Sequence, residues 1–264
     1  MAKKAGRERV DILLVERGLC ETRSKAQARV LAGEVVVDDQ RVDKPGTQIS
    51  RESHIRLKGE GLRWVSRGGL KLAGALSHFS ISPAAEVWVD VGASTGGFTH
   101  VLLENGAEKV FAIDVGYGQL AWQLRQDERV VNLERTHIGK MPPGTLDPPP
   151  VGFVIDVSFI SLDLVLPALI PHLAPAARGI ALIKPQFEVG REGVGKGGIV
   201  RDTEIRQAAV DRVLRNAAEN GLEVLGLTES SIRGTDGNVE YLAALRLRRD
   251  DADGVPSASD EGAG

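Results

Sequence analysis

The stretch EVWVDVGASTGGFT, residues 86–99, decides the fold of this chain. Its three alternating valines predict a short buried strand that ends near Asp90. A glycine-rich turn follows at 92–97, and apolar residues then recur at helical spacing from Phe98 onward. A strand, a glycine turn and a helix in this order are typical of an α/β sheet that brings its backbone close to a nucleotide-like ligand.

The spacing of the glycines narrows the class of ligand. The dinucleotide fingerprint G-x-G-x-x-G is absent because Ser94 occupies the place of the second glycine. The P-loop pattern is absent because Phe98 and Thr99 follow Gly97. The pattern Asp-x-Gly-x-x-x-Gly-Gly-Phe instead resembles motif I of S-adenosylmethionine-dependent methyltransferases. On this stretch alone, a glycine-rich turn that binds nothing is the alternative.

Length and composition predict one large α/β domain and a small additional one within 264 residues. The single cysteine, Cys20, fits a reducing cytoplasm, and we expect neither a signal peptide nor a membrane span. Residues 1–71 carry a net charge of +6 and the remaining residues one of −9. This asymmetry predicts a polyanion-binding module in front of an enzyme-like body, with an uneven scatter of surface charge as the alternative.

The front of the chain predicts a small α+β module. We expect a basic arm at 1–8, a short helix capped by Asp11, a second helix opened by a capping box at Ser24, and then a β ribbon. This order resembles the S4 RNA-binding domain over residues 9–58. On that basis the RNA-binding candidates are Arg7, Arg23, Lys25, Arg29, Arg63 and Arg67. A solvated helix face is the alternative for the cations of the second helix.

The rest of the chain alternates strands and helices as a doubly wound sheet does. Strands are expected to end at Asp114, Asp156 and Lys184, and a carboxylate in the apolar run around Asp156 requires a partner. The glycine-rich stretch 186–202 is predicted to be a lid or an RNA-contacting loop. The predicted divisions are a linker at 59–65, a catalytic domain at 66–249 and a disordered acidic tail at 250–264.

Four charged residues stand out by their positions at strand ends or before strands: Lys71, Asp156, Lys184 and Glu240. They lie in or beside the segments SRGGLKL, VIDVSFISL, ALIKPQFE and NVEYL, which flank the glycine turn. In this order the segments resemble the haemolysin-A/TlyA family of ribosomal-RNA 2′-O-methyltransferases, which join an S4 domain to an FtsJ-like, Rossmann-like methyltransferase domain. The resemblance implies that these four residues form a catalytic tetrad.

The same resemblance implies S-adenosylmethionine as cofactor, cytidine as the target and a cytoplasmic enzyme. The long basic arm is similar to the type that modifies 16S and 23S RNA, in both ribosomal subunits. The cofactor-binding candidates are Asp90, Gly92, Ala93, Ser94, Thr95, Gly96, Gly97, Phe98, Asp114, Val115 and Asp156. Asp114 is the expected acceptor for ribose hydroxyls, by analogy with other nucleotide folds. No metal is expected, because the five histidines show no ligand spacing.

The chemistry suits these residue types. A ribose 2′-hydroxyl is a weak acid, so an enzyme must align it with the methyl group and assist the loss of its proton. We expect Lys184, held by Asp156 and Glu240, to contact the 2′-oxygen. Whether it stabilises negative charge or accepts the proton stays open at this stage. Salt bridges at a sheet edge are the structural alternative for the four residues.

Three other functions compete with this reading. Pseudouridine synthases also carry an S4 module, but the glycine-rich cofactor turn does not fit them. A membrane-active haemolysin requires an apolar amphipathic or spanning segment, which the sequence lacks. A non-catalytic assembly factor that keeps a cofactor pocket is disfavoured by charged residues at all four tetrad positions.

Overall fold

The computed structural model describes residues 6–38, 40–51, 53, 55–57, 63–195, 197–234 and 237–248. The chain divides into two compact units, the first unit ending at Arg63 and the second unit beginning at Trp64. Residues 1–5 of the predicted arm, residues 59–62 of the predicted linker and the predicted tail at 250–264 lie outside the described residues. Trp64, predicted to be in the linker, packs in the core of the second unit.

The described residues of the first unit form two helices and five short strands. They are β1 (Arg7–Arg9), α1 (Val10–Glu16), α2 (Arg23–Leu31), β2 (Val35–Val37), β3 (Gln40–Val42), β4 (Gln48–Ser50) and β5 (Ile55–Leu57). Strand β2 lies between β3 and β5, and β1 pairs with β4, all antiparallel. The order of two helices and a β ribbon agrees with the sequence. Arg7 and Glu8 lie in β1, however, and not in an arm.

Two predicted helix starts in the first unit were wrong. Asp11 does not cap a helix but is a fully buried residue of the first turn of α1. Helix α2 begins one residue before Ser24 and is capped by Thr22, whose Oγ1 accepts the Lys25 backbone N–H at 3.3 Å. At α2, several residue types with short polar side chains could cap the helix, and packing selects Thr22, whereas α1 begins after Arg9, which makes no side-chain cap hydrogen bond.

The second unit is built on a seven-stranded sheet, with strand order β11-β12-β10-β9-β6-β7-β8. Five strands are parallel: β6 (Val87–Val91), β7 (Lys109–Ile113), β8 (Val130–Leu133), β9 (Gly152–Ile155) and β10 (Arg178–Ile183). The antiparallel pair β11 (Leu222–Glu229) and β12 (Tyr241–Leu247) completes it through β10. The predicted Rossmann-like α/β fold is confirmed.

Helices cover both faces of this sheet. They are α3 (Gly68–His78), α4 (Gly97–Glu104), α5 (Trp122–Arg125), α6 (Leu162–Leu169), α7 (Pro185–Glu188) and α8 (Thr203–Glu219). Successive strand residues enter opposite cores: Trp88 packs with α3 and α4, and Val89 with α6 and α8. The stretch predicted as a lid at 186–202 contains most of α7, a 3₁₀ turn at Arg191–Gly193 and the buried Val200.

The topology creates a switch point beside β6. From β6 the chain proceeds to β7 and β8 on one side and returns to β9 and β10 on the other. In open α/β sheets, ligands bind at the carboxyl ends of the strands at such a point. Because β12 is antiparallel to β10, the residue before β12 lies at the same edge.

Candidate active site

A first cavity of about 380 Å³ lies at the switch point. Five of the predicted cofactor-binding residues line it: Gly92, Ser94, Asp114, Val115 and Asp156. Apolar side chains of Ile113, Ile138 and Val165 form much of the remaining wall. This volume and this mixture of apolar walls with a few polar groups are typical of small-molecule sites.

Asp114 joins two loops at the wall of the first cavity. Its Oδ2 accepts the backbone N–H of Ser94 at 2.7 Å, and its Oδ1 accepts that of Gly116 at 2.7 Å. A carboxylate has about four acceptor positions, so Asp114 retains capacity to accept from a ligand hydroxyl. The predicted position of Asp114 beside the ligand is therefore consistent with the geometry.

Glycine at position 92 is required by two features of the backbone. Its φ of +87° is strained for an L residue, and an added Cβ would come within 2.4 Å of the Asp156 carbonyl oxygen. The end of β6 can therefore approach the loop after β9 only with glycine here. Both Gly92 and Asp156 line the first cavity.

Asp90 occupies a different place from the other predicted cofactor residues. It is fully buried, and its Oδ2 accepts the Thr99 backbone N–H at 2.9 Å and the Thr99 hydroxyl at 2.7 Å. Its Oδ1 has no hydrogen-bond partner among the described residues. Burial raises the pKa of Asp90 to about 7. The carboxyl group therefore supports the first turn of α4 from beneath.

Six predicted residues are not among those lining the first cavity: Asp90, Ala93, Thr95, Gly96, Gly97 and Phe98. Most of them are buried, because the turn folds inward to start α4. The lining also includes Gln119, Thr136, His137 and the 157–160 segment, which the sequence analysis did not select. The rule that ligands meet strand ends could have found Thr136 and His137, which follow β8 closely.

A second cavity of about 390 Å³ adjoins the first, since Ser158 and Phe159 line both. Lys184, Gln186, Phe187, Asn238 and Glu240 contribute to the second cavity. Phe159 is 90% exposed, has a φ of +64°, and its ring centroid lies 4.9 Å from that of Phe187. No local pattern indicates that position.

The four predicted tetrad residues form two lysine–carboxylate pairs. Lys184 Nζ lies 2.6 Å from Asp156 Oδ1 and donates to Ser158 Oγ at 2.9 Å. Lys71 Nζ donates to Glu240 Oε2 at 2.5 Å. The expectation that both carboxylates hold Lys184 was wrong, because the ion-pair partner of Glu240 is Lys71. Packing of α3 against the sheet places that lysine beside the start of β12.

The two pairs nevertheless share one edge of the sheet. Ile183 pairs with Tyr241 in the register of β10 and β12, so the residues just beyond them, Lys184 and Glu240, are neighbours. Glu240 is 2% exposed and Lys71 is 9% exposed. Asp156 lines the first cavity, whereas Lys184 and Glu240 line the second. Lys184 therefore faces the second cavity, whose lining does not include Lys71.

Asn238 fixes the loop that forms one wall of the second cavity. It is 4% exposed, donates to the Gly198 carbonyl at 2.9 Å and accepts the Val200 backbone N–H at 3.1 Å. The predicted lid is thus tied to the residues that precede β12.

The RNA-binding candidates differ in how their charge is used. Arg23 lies 3.0 Å from Asp11, and Lys25 forms an ion pair with Glu21. Arg7 donates to the Gln48 carbonyl at 2.9 Å. Arg29 is partly buried, and Arg63 and Arg67 are exposed. The first unit therefore presents fewer fully available cations than its composition indicates.

Within the part of the chain that the structure describes, no group of three or more histidine, cysteine or acidic residues could hold a metal ion. In the same residues, no helix combines the length and apolar character needed to cross a bilayer.

Comparison with known proteins gives concordant matches. Residues 64–247 match the model of the FtsJ-like methyltransferase family, and residues 8–55 match that of the S4 domain. The chain is 47% identical to 16S/23S rRNA (cytidine-2′-O)-methyltransferase TlyA of Mycobacterium tuberculosis, covering 94% of this chain and 93% of that one. It is 50% identical to YqxC of Bacillus subtilis, covering 90% and 85%.

A solved structure from Streptococcus thermophilus is also similar. It has 47% sequence identity and a TM-score of 0.72, and the match covers 93% of this chain and 90% of that chain. The resemblances stated from sequence motifs are confirmed for both domains.

Proposed function

This chain belongs to the FtsJ-like methyltransferase family and carries an S4 domain, and we propose that it methylates the 2′-hydroxyl of cytidine in ribosomal RNA. The observation that carries the proposal is the position of Lys184. Its ammonium group pairs with Asp156, which lines the first cavity, while Lys184 itself lines the second. The substrate class is supported by the name of the M. tuberculosis relative.

The first cavity is the proposed site of S-adenosylmethionine, the methyl donor of this family. When bound, the donor supplies an electrophilic methyl group on a sulfonium ion. Asp114 would accept from its ribose hydroxyls, and the apolar wall that includes Ile138 and Val165 would accommodate its base. The uncommitted acceptor capacity of Asp114 and the apolar wall fit that molecule.

The second cavity is the proposed site of the acceptor nucleotide. There Lys184 donates a hydrogen bond to the 2′-oxygen and stabilises the negative charge that develops on it. Loss of the hydroxyl proton would be assisted by the Asp156 carboxylate, which is held by Lys184 and would accept that proton and release it to water. The Lys71–Glu240 pair supports this edge of the sheet, and the exposed Phe159 and the half-buried Phe187 form an apolar wall beside it.

The test is transfer of labelled methyl from S-adenosylmethionine to purified 30S and 50S subunits that lack the modification, with the modified position mapped by mass. Lys184→Ala should reduce transfer by about 10³-fold or more, because it removes the group facing the reacting oxygen. Its affinity for the cofactor should stay near that of the wild type. Lys109→Ala is the matched control, since Lys109 begins β7 and therefore lies at the amino ends of the parallel strands, away from the two cavities.

Each result has a definite meaning. Ribose methylation of cytidines in both subunits would support the enzyme class and the inference from the basic arm. Methylation of one subunit alone would support the proposed reaction and contradict the prediction that both subunits are substrates. Wild-type turnover by Lys184→Ala would remove the assignment of Lys184. Cofactor binding without transfer to either subunit would favour a non-catalytic role.

The S4 domain is the proposed RNA-binding module. Lysine and arginine side chains that neutralise RNA phosphates release bound counterions, and added salt opposes that release. The affinity for ribosomal RNA should therefore weaken strongly between about 50 and 200 mM salt. Arg29→Glu is a better probe than substitution of Arg23, because Arg23 also pairs with the buried Asp11. Affinity that is insensitive to both salt and Arg29→Glu would contradict RNA binding by this surface.

A further inference from the structure

A buried carboxylate lies four residues beyond Lys184 and has no role in the chemistry described so far. Glu188 ends α7, and its side chain is 2% exposed. Its Oε1 accepts the Leu162 backbone N–H at 3.0 Å, and its Oε2 accepts the Ser161 hydroxyl at 2.6 Å. These donors begin α6, so Glu188 satisfies the amino end of that helix from a neighbouring segment.

The contacts of Glu188 and those of Lys184 enclose one loop. Lys184 binds Asp156 and Ser158 at the start of the loop, and Glu188 binds Ser161 and Leu162 at its end. Residues 157–160 of this loop line the first cavity, and Ser158 and Phe159 also line the second. The segment 184–188 therefore holds the loop between the two cavities at two points.

Arg212 of α8 completes the anchor at Glu188. Its Nη2 donates to the Glu188 carbonyl oxygen at 2.7 Å and to Oε2 at 3.1 Å, and its Nε lies 3.3 Å from Asp163 Oδ2. Burying a carboxylate is costly unless donors compensate for lost water. Three donors on the Glu188 carboxylate from two elements make its position well determined.

We propose that Glu188 is a positioning residue that sets the loop 157–161 relative to Lys184, and so fixes the spacing between the first and second cavities. Its effect on methyl transfer rests on the proposed function. Its effect on the first cavity does not, because 157–160 line that cavity without any RNA. A displacement of about 1 Å in a reacting group can cost about 100-fold in rate.

The experiment compares three variants: Glu188→Ala, Glu188→Gln and Glu86→Ala. Glu86 is the control because it also accepts from an arginine, Arg178 at 2.8 Å, but at the amino end of the sheet, beside the start of β6. Glutamine can accept from Leu162 and donate to Ser161, so it preserves both contacts to the loop. Measurements are the thermal midpoint, the cofactor dissociation constant without RNA, and kcat and KM for RNA at saturating cofactor.

Glu188→Ala should lower kcat by about tenfold or more and raise the cofactor dissociation constant about fivefold, with KM for RNA changing less. Glu188→Gln should stay within about threefold of the wild type in both quantities, because its two contacts to the loop persist and only the contact between Arg212 Nη2 and Oε2 is lost. Glu86→Ala should lower the thermal midpoint without changing either quantity. If Glu188→Ala is unfolded at the assay temperature, Ser161→Ala removes one of the same contacts and should lower kcat about threefold or more.

Two outcomes would overturn the inference. One is a folded Glu188→Ala with wild-type kcat and cofactor affinity. The other is a loss in Glu86→Ala equal to that in Glu188→Ala, since both would then reflect general destabilisation. If the wild type transferred no methyl to RNA, the proposed function would fail. The cofactor dissociation constants of the same variants would still decide whether Glu188 positions the loop.

Discussion

Asp11 in the first unit and Asp90 in the second are both fully buried, yet their environments are opposite. Asp11 is contacted by Arg9 at 2.9 Å, Arg23 at 3.0 Å and Gln27 at 2.9 Å. These donors, with Arg9 first among them, hold the pKa of Asp11 well below its usual range. Within the described part of the chain Asp90 has only Thr99 as a donor, and burial raises its pKa to about 7.

The comparison teaches that burial alone does not set the charge of a carboxyl group. Burial penalises the ionised form at both positions, and the number of donors decides whether that cost is offset. Asp11 therefore acts as an anionic centre that joins β1, α1 and α2. Asp90 acts more nearly as a neutral hydrogen-bonding group beneath α4.

The largest effect should come from Asp90→Asn. Raising a carboxyl pKa from 3.8 to about 7 costs the ionised folded state up to about 4 kcal/mol. Below pH 4 both states are protonated, and between pH 4 and 7 only the folded state keeps the proton. The contribution of Asp90 to stability therefore falls as pH rises through this range, and asparagine removes that loss.

Tryptophan fluorescence during urea unfolding measures this effect, since all three tryptophans, Trp64, Trp88 and Trp122, belong to the second unit. The variant minus wild-type difference in unfolding free energy should become more positive from pH 4 to pH 7, and subtraction cancels the other titrating groups. A difference that is independent of pH would show that Asp90 is ionised normally, and the comparison would fail.

Asp11→Asn should give the next largest change in the free energy of unfolding. It should destabilise the protein, whereas Asp90→Asn removes a destabilising contribution, and its dependence on pH should be opposite. Loss of the anion leaves Arg9 and Arg23 without their buried partner, at a cost of about 2 kcal/mol near pH 7. Because the folded pKa is depressed, this stabilisation is present above about pH 4 and is lost as pH falls further.

Cys20 provides the probe for the Asp11 variant. It is the single cysteine of the chain and is buried in the first unit, so its reaction with a thiol reagent reports opening of that unit. Asp11→Asn should accelerate the reaction about 30-fold at pH 7, the equivalent of about 2 kcal/mol. Labelling at the wild-type rate would show that the three donors add no stability.

Cofactor affinity should separate Asp90 from Asp114. Asp114 lines the first cavity, and Asp90 does not. Asp114→Asn should raise the cofactor dissociation constant about tenfold, because an ionised acceptor for ribose hydroxyls is replaced by a neutral one. Asp90→Asn should change it less than about threefold. Calorimetric titration with S-adenosylmethionine measures the dissociation constants of both variants. A larger increase for Asp90→Asn than for Asp114→Asn would indicate that Asp90 contacts the cofactor.

The smallest effect should come from Lys25→Ala, which removes the ion pair with Glu21 on the surface of the first unit. Both side chains are more than half exposed, at 62% and 79%. Exposed pairs at this spacing contribute about 0.5 kcal/mol or less. Cys20 labelling should therefore proceed within about threefold of the wild-type rate. An acceleration of Cys20 labelling as large as that of Asp11→Asn would mean that the burial of Asp11 does not make its ion pairs stronger than an exposed one.

Local patterns predicted much of the candidate site. The glycine turn after β6 and the charged residues at the ends of β9 and β10 all lie at one edge of the sheet, as predicted. This succeeded because strand periodicity fixes which residues end a strand, and parallel strands end on the same side. The same rule applied to β8 would have added Thr136 and His137.

Patterns did not predict the partners of charged groups. The sequence predicted that Glu240 contacts Lys184, but the packing of α3 makes Lys71 the ion-pair partner of Glu240. The segment ALIKPQFE gave no indication that Glu188 contacts the start of α6, and this contact forms only in the folded chain. These contacts join residues 26 to 169 positions apart, and no local periodicity encodes them.

The sequence by itself determined the main alternation of strands and helices in the second unit, the glycine turn, the S4-like front and the edge of the sheet where chemistry belongs. These follow from short-range preferences of residue types and from spacing. Only the tertiary structure decided which lysine faces a cavity, which carboxylates are paired and which aspartate is protonated near neutral pH. Those properties depend on desolvation and on donors supplied by distant segments, and both exist only once the chain has folded.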